Sequence, residues 1–261
     1  MTAPRGATRQ TAPRHFPLFI RMNATSSTTA AAPAPLRGIS SMATKRLLGE
    51  MLALWHAQGG APVQIESVGG VDAARRVQAG EAFDLVFLAD DALTKLGQGG
   101  CLRPGSQRAL ALSLVAAAVP QGAAAVEIGD EQRLRQAIAA APSIGYSTGP
   151  SGVALQALFA RWGVSEAVAA KTVQAPPGVP VGELVALGKV ALGFQQLSEL
   201  IHVPGITLLG LLPESVAIRT VFSGAIGQAC AQTEQAERLL AFMAGPQTAA
   251  LKQREGMAPA P

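Results

Sequence analysis

The segment Gly145-Tyr146-Ser147-Thr148-Gly149 matches the G-x-S-x-G pattern of a nucleophile elbow. An elbow needs its serine at a sharp strand-to-helix turn, with the helix starting almost at once. It also needs an acid and then a histidine further along the chain. Here Gly149-Pro150 follow the serine. Proline favours the first turn of a helix, so the spacing predicts a helix beginning around Pro150–Ser151, late for an elbow. The later histidine is His202, close behind Glu199, and the two would sit on adjacent turns of a helix. That suits poorly an acid meant to orient a histidine towards Ser147. No HGGG-type oxyanion segment is present, and no lysine makes Gly149-Pro150-Ser151-Gly152 a phosphate loop. The expected role of Ser147 is to donate a hydrogen bond to a bound anion, without being acylated.

Two further strand-to-helix junctions share this chemistry. One is Gly38-Ile39-Ser40-Ser41 and the other Ser67-Val68-Gly69-Gly70. Each offers hydroxyls, glycines and the amides at a helix start. A helix start leaves about four amides without intrahelical partners, and the macrodipole adds roughly half a positive charge. Such junctions hold a carboxylate or oxyanion without a lysine. One alone reads as ordinary N-capping; three spread along the chain point to a shared anion site.

The elements that must carry these junctions alternate. "LRGIS", "PVQIESV", "FDLVFLAD", the apolar run 109–119, "SIGYS", "ALGFQQ" and "IRTVFSGAIG" read as strands. "MATKRLLGEMLALWHAQGG" reads as a helix capped by Ser40 or Ser41, with glycines at its end. "VDAARRVQAG", "DALTKLGQGG", "DEQRLRQAIAAA", "SGVALQALFARWG" and "VGELVALGKV" are further helices, and two more close the chain. This alternation predicts an α/β fold with largely parallel sheets and a cleft between two lobes. The predicted limits are 36–115 plus 221–261 for the first lobe and 116–220 for the second. Residues 1–35, rich in Thr, Ala, Pro and Arg, read as a disordered extension, with Met22 as an alternative start.

Composition narrows the function. The chain of 261 residues is 49% hydrophobic and 15% charged, so it forms a large core. Aromatics make up only 4%, so that core relies on Ala, Val and Leu and on close helix–sheet contacts. The formal charge of +4 comes from scattered basic residues with no aromatic-interleaved stripe, which argues against nucleic acid and suits a small anion. Cys101 and Cys230 lack metal-ligand spacing, three histidines form no cluster, and neither a metal nor a cofactor is expected. No apolar run reaches the length of a membrane span.

In their order, "GISSMATKRLLGEMLALW", "VQIESVGGVDAARRVQAGEAFDLVFLADDALTKLGQGG", "IGYSTGPSGVALQALFARWGV" and "GELVALGKVALGFQQLSEL" resemble the extracellular solute-binding proteins of the molybdate-binding type, over about residues 36–261. The resemblance implies a two-lobed periplasmic-binding-protein-like (type 2) fold that grips a small anion between its lobes. It implies ligand contacts from Ser40, Ser41, Gly69, Gly70, Tyr146, Ser147, Thr148, Ser151 and Gln196. It also implies a monomer that delivers its solute to an ABC-transporter permease. The family suggests the periplasm, while "HFPLFI" is too short for the apolar part of a signal, which keeps a cytoplasmic location open.

Two departures from the family bear on the ligand. Val68-Gly69-Gly70-Val71 stands where a Gly-Ser-Gly is usual, and Gln196 stands where a tyrosine is common. They favour an organic carboxylate over molybdate. Because aconitate isomerase resembles the same family, the alternative function is a 1,3-proton shift in an unsaturated polycarboxylate. That chemistry needs anion-binding loops and a base. Tyr146 and Glu199 are the candidate bases, with Glu66 and His202 also considered. Arg37, Arg75 and Arg219 are the cations that could fork a carboxylate, were one of them to face the cleft.

Overall fold

The computed structural model describes residues 34–124 and 126–261, together with Thr2. The extension read over 1–35 therefore lies almost wholly outside the described residues. The elements run in chain order as β1 (Leu36–Ser41), α1 (Lys45–Ala57), β2 (Val63–Val68), α2 (Gly70–Gln78), β3 (Leu85–Ala89), α3 (Asp90–Gln98) and β4 (Arg108–Pro120). Next come α4 (Glu131–Ala140), β5 (Ile144–Tyr146), α5 (Pro150–Arg161), α6 (Ser165–Ala169), β6 (Thr172–Gln174), α7 (Val181–Ala186) and β7 (Leu192–Gln196). The chain ends with α8 (Leu197–Leu200), β8 (Ile206–Leu211), β9 (Arg219–Ile226), α9 (Thr233–Ala244), α10 (Ala249–Arg254) and β10 (Met257–Pro259).

The strands follow the order β2-β1-β3-β9-β4-β7-β5-β6, with β8 and β10 both paired to β4. Strand β4 joins two sheets. Its first half, Arg108–Leu114, pairs with β9, and its second half, from Val115, pairs with β7 and β8. Separate apolar cores lie on either side of this change. One gathers Leu47, Met51, Phe87, Leu240 and Met243; the other gathers Leu134, Ile144, Leu155, Phe159 and Phe194. Ala116, Ala117 and Ala118 of β4 are completely buried, and their small side chains admit the neighbouring strands and α8 at close range.

The expectation of largely parallel sheets needs correction. Pairs β1–β2, β1–β3, β5–β6 and β5–β7 are parallel, but every pairing of β4 and β9 is antiparallel. A βαβ pattern predicts parallel neighbours only where a helix separates consecutive strands. Strand β4 instead runs from one sheet into the other with β9 beside its first half, and the partners of both come from distant parts of the chain. Five short elements, α6, β6, α8, β8 and β10, also escape the sequence pattern. Strand β8 lies with most of its residues half-buried or exposed, so it carries no clean apolar alternation.

Capping of the first helix differs as well. A short 3₁₀ turn over Met42–Thr44 precedes α1, and neither Ser40 nor Ser41 accepts a capping hydrogen bond from a helix-start amide. Helix α5 does begin at Pro150, with Gly149 extended before it, as the proline predicts. Both cysteines are free thiols. Among the described residues no helix is long and apolar enough to cross a membrane, and no group of acidic, histidine and cysteine side chains could hold a metal ion.

Candidate functional site

Parallel strands bring their carboxyl ends to one side of a sheet, where the following helices start. In this protein the ends of β1, β2, β5 and β7 converge on one cavity. Its wall includes Ser41 from β1, Gly69 and Gly70 from the start of α2, and Ser147, Thr148 and Ser151 around the start of α5. The end of β7 and helix α8 add Gln195, Gln196 and Glu199, and Phe222 of β9 closes one side. The cavity offers about 70 Å³ of room. A single water needs about 10–15 Å³ in the same measure, so the space suits a small anion.

The α5 junction is built to point hydroxyls inward. Ser147 Oγ and Ser151 Oγ lie 3.0 Å apart, and the Gly149 amide donates to Ser147 Oγ at 3.3 Å. Glycine at 152 is what lets the helix start fold back on this serine. A Cβ there would sit 1.8 Å from the Ser147 carbonyl oxygen, inside any permitted contact.

On the opposite wall the alternation of a strand separates two adjacent serines. Ser41 lines the cavity, and its buried Oγ has no hydrogen-bond partner. Ser40 is also completely buried, but its hydroxyl lies 2.7 Å from Ser67 Oγ and is outside the cavity lining. Tyr146 likewise does not line the cavity; it packs against the second apolar core.

Gln196 is 2% exposed. Its Nε2 donates to Thr220 Oγ1 of β9 at 2.8 Å, and its Oε1 has no partner. Next to it Gln195 is held at both ends: its Oε1 accepts from the Gly182 amide at 3.3 Å, and its Nε2 donates to Glu199 Oε1 at 2.8 Å. Burial pushes the Glu199 carboxyl up to about 7, and the Gln195 bond offsets this only in part. Glu199 thus exchanges its proton near neutrality, inside the cavity.

The other sequence candidates lie elsewhere. Glu66 forms an ion pair with Arg76 at 2.6 Å on the surface, which holds its carboxyl below the usual range. His202 Nε2 lies 3.0 Å from the buried Oε2 of Glu255, which also accepts from Arg46 Nε. The arginines considered as carboxylate forks do not line the cavity either. Arg37 lies over the Phe83 ring, Arg75 pairs with Asp72, and Arg219 pairs with Glu214. Among the described residues the lining contains no lysine, arginine or histidine.

Helix α8, which carries Glu199, is tied across the molecule. Ser198 Oγ donates to the Ala43 carbonyl at 3.0 Å, just after β1. Together with the Gln196–Thr220 and His202–Glu255 contacts, this fixes the height of Glu199 relative to Ser41.

Residues 36–258 match the model of a family described as bacterial extracellular solute-binding protein. The chain is 37% identical, over 187 residues, to an aconitate isomerase from a Pseudomonas species; the match covers 71% of each chain. Among solved structures it superposes on the periplasmic molybdate-binding protein of Azotobacter vinelandii with a TM-score of 0.72 at 21% identity, covering 87% of this chain and 100% of that one. A tungstate-binding protein from Desulfovibrio alaskensis aligns with a TM-score of 0.64 at 16% identity, covering 87% and 99%. At these identities the structural matches establish the fold, a two-lobed α/β architecture.

Proposed function

The chain belongs to the bacterial extracellular solute-binding protein family, and from that premise we propose that it binds a small organic acid anion in the cavity between its lobes. The observation that carries this reading is the convergence of Ser41, Ser147, Thr148 and Ser151 with the starts of α2 and α5 on one cavity. Hydroxyls and helix-start amides stabilise an anion that has shed its water. No arginine fork selects an organic ligand, because no cation lines the cavity among the described residues. The mixed character of the wall supports it instead. Gln196 Oε1 and the Glu199 carboxyl bring acceptors among the donors, which suits a ligand carrying hydroxyl or acid protons better than a bare tetrahedral oxyanion. The family supports export to the periplasm and delivery to an ABC-transporter permease.

A second reading has its own observation. Glu199 is a carboxyl in the cavity wall that gains and loses a proton near pH 7, as a general base for a 1,3-proton shift requires. The 37% identity to an aconitate isomerase supports the same reading. One base facing one side of an unsaturated polycarboxylate can take a proton from one carbon and return it two carbons away. The hydroxyls and helix starts would stabilise the charge that develops between the two steps.

A thermal-shift screen against citrate, cis- and trans-aconitate, molybdate, tungstate and sulfate tests the binding reading. A ligand at about 100 times its Kd adds about 2.7 kcal/mol of stability, which is readily seen. An organic acid is expected to raise the melting temperature more than any inorganic oxyanion, and the reverse ranking would refute the organic preference. Ultraviolet absorbance of the unsaturated acids, followed in the same wells, separates a receptor from an isomerase. A time-dependent change marks the isomerase.

Ser147→Ala should weaken binding by roughly ten- to a hundredfold, the loss of one hydrogen bond to a charged group. The wild-type protein should remain unlabelled by a fluorophosphonate. Labelling of Ser147 would make it a nucleophile and overturn its assignment as a hydrogen-bond donor.

A further inference from the structure

Resting on the reading of the cavity as an anion site, we propose that the anion enters together with one proton, held on Glu199, so that this carboxyl group decides both which acids bind and the pH at which they do. The geometry carries the proposal. Glu199 contributes the ionisable group of the lining, and no cation accompanies it among the described residues. An anion seated against the serines therefore lies close to a carboxylate with nothing positive between them except partial charges. Beside a carboxyl held out of water, two like charges at short range disfavour one another, and the cheapest escape is to neutralise one of them.

The carboxyl is also placed to serve as a donor once protonated. Its Oε1 is occupied by Gln195 Nε2, which leaves Oε2 as the oxygen available to the cavity. Gln195 cannot easily turn away, because the Gly182 amide holds its other end. Two further buried atoms in the same wall, Ser41 Oγ and Gln196 Oε1, lack partners and mark the space as one that a ligand's polar groups complete.

Among the described residues no charged group pairs with Glu199; the buried Lys252 of α10, behind α8, is not among the influences on it. Helix α8 carries no ionisable residue besides Glu199, and neither do the Met42–Thr44 turn, β7, or β4 from Val115 onward. On α7, Glu183 is exposed. Beyond α8, His202 is engaged by Glu255, which also holds Arg46 of α1, and Lys45 of α1 is exposed. Burial and the Gln195 bond are the influences acting on Glu199.

Isothermal titration of the full chain with trans-aconitate and with molybdate, from pH 6 to pH 9, tests this. Above neutrality both probes are fully ionised, so a proton taken up there must land on the protein. The Kd of a probe that binds is expected to rise by about tenfold for each pH unit above neutrality, the slope of one linked proton. Repeating the titration in two buffers of different ionisation heat should show uptake approaching one proton per ligand at pH 8. In Glu199→Gln, which keeps an acceptor for Gln195, both the slope and the uptake should vanish. A wild-type affinity that does not change with pH overturns the proposal and leaves the anion site standing. The same holds for a slope that survives in Glu199→Gln. Failure of both probes to bind at pH 6 would remove the anion-site reading and this inference with it.

Discussion

Glu199→Gln is expected to stabilise the free protein by about 3 kcal/mol at pH 8, with the gain shrinking to a few tenths at pH 4.5. The sign follows from the direction of the shift. Burial raises the folded carboxyl from 4.5 to about 7. A carboxyl raised in the folded state favours folding only while it is protonated. Stability is therefore complete below the unfolded value and is lost as pH climbs from about 4.5 through 7. Above that window the wild-type protein carries a desolvated charge that the glutamine variant lacks. For a domain of this size each kcal/mol moves the melting temperature by roughly 2–4 °C, so the variant should melt roughly 6–12 °C higher at pH 8. Calorimetry at the two pH values decides the matter. An equal difference at both would mean that Glu199 is already ionised and hydrated.

That penalty has a use if the cavity performs chemistry. A carboxyl kept out of water is a stronger base towards a bound C–H group than an exposed one. Binding of an anion raises it further, so an isomerase would show kcat rising with pH to a midpoint above 7 while affinity falls over the same range. A receptor would show only the fall. The opposite trends of kcat and affinity would identify Glu199 as the base that moves the proton.

Gly152→Ala should weaken ligand binding by about a hundredfold and lower stability by about 1–3 kcal/mol, the usual cost of overpacking a tight site. The contact involved is with backbone, the Ser147 carbonyl oxygen at 1.8 Å from the added Cβ, so no side-chain rotation relieves it. Either the start of α5 or the Ser147 loop has to move by more than 1 Å. The hydroxyls of Ser147 and Ser151, now 3.0 Å apart, then lose their common aim. Misplacement on that scale costs on the order of a hundredfold where several groups must act together. Urea unfolding and the titration above measure both effects in one preparation. A variant that binds with unchanged affinity would show that the α5 junction does not hold the ligand.

Much of this protein is legible from its sequence because much of it is local. Proline at 150 sets the start of α5, alternation marks β2, and apolar runs mark β1, β3 and the long β4. The three hydroxyl- and glycine-rich junctions stand out because strand ends and helix starts leave a signature within a few residues. Those junctions suffice to predict an anion site, and their order along the chain suffices to resemble the family to which the chain belongs.

What only the tertiary structure decided depends on partners far apart in the chain. It turned Ser41 to the cavity and Ser40 to Ser67, a choice between neighbours that the alternation of β1 allows either way. It placed Arg37, Arg75 and Arg219 on ion pairs or an aromatic ring away from the cavity. The antiparallel pairing of β4 with β9 joins residues more than a hundred apart in the chain. It singled out Glu199 from Glu66 and His202 by burying it beside Gln195, on a helix anchored to Ala43. A carboxyl's proton affinity is set by the water and charges within a few ångströms of it, and in this protein those neighbours come from strands and helices that the chain brings together only by folding.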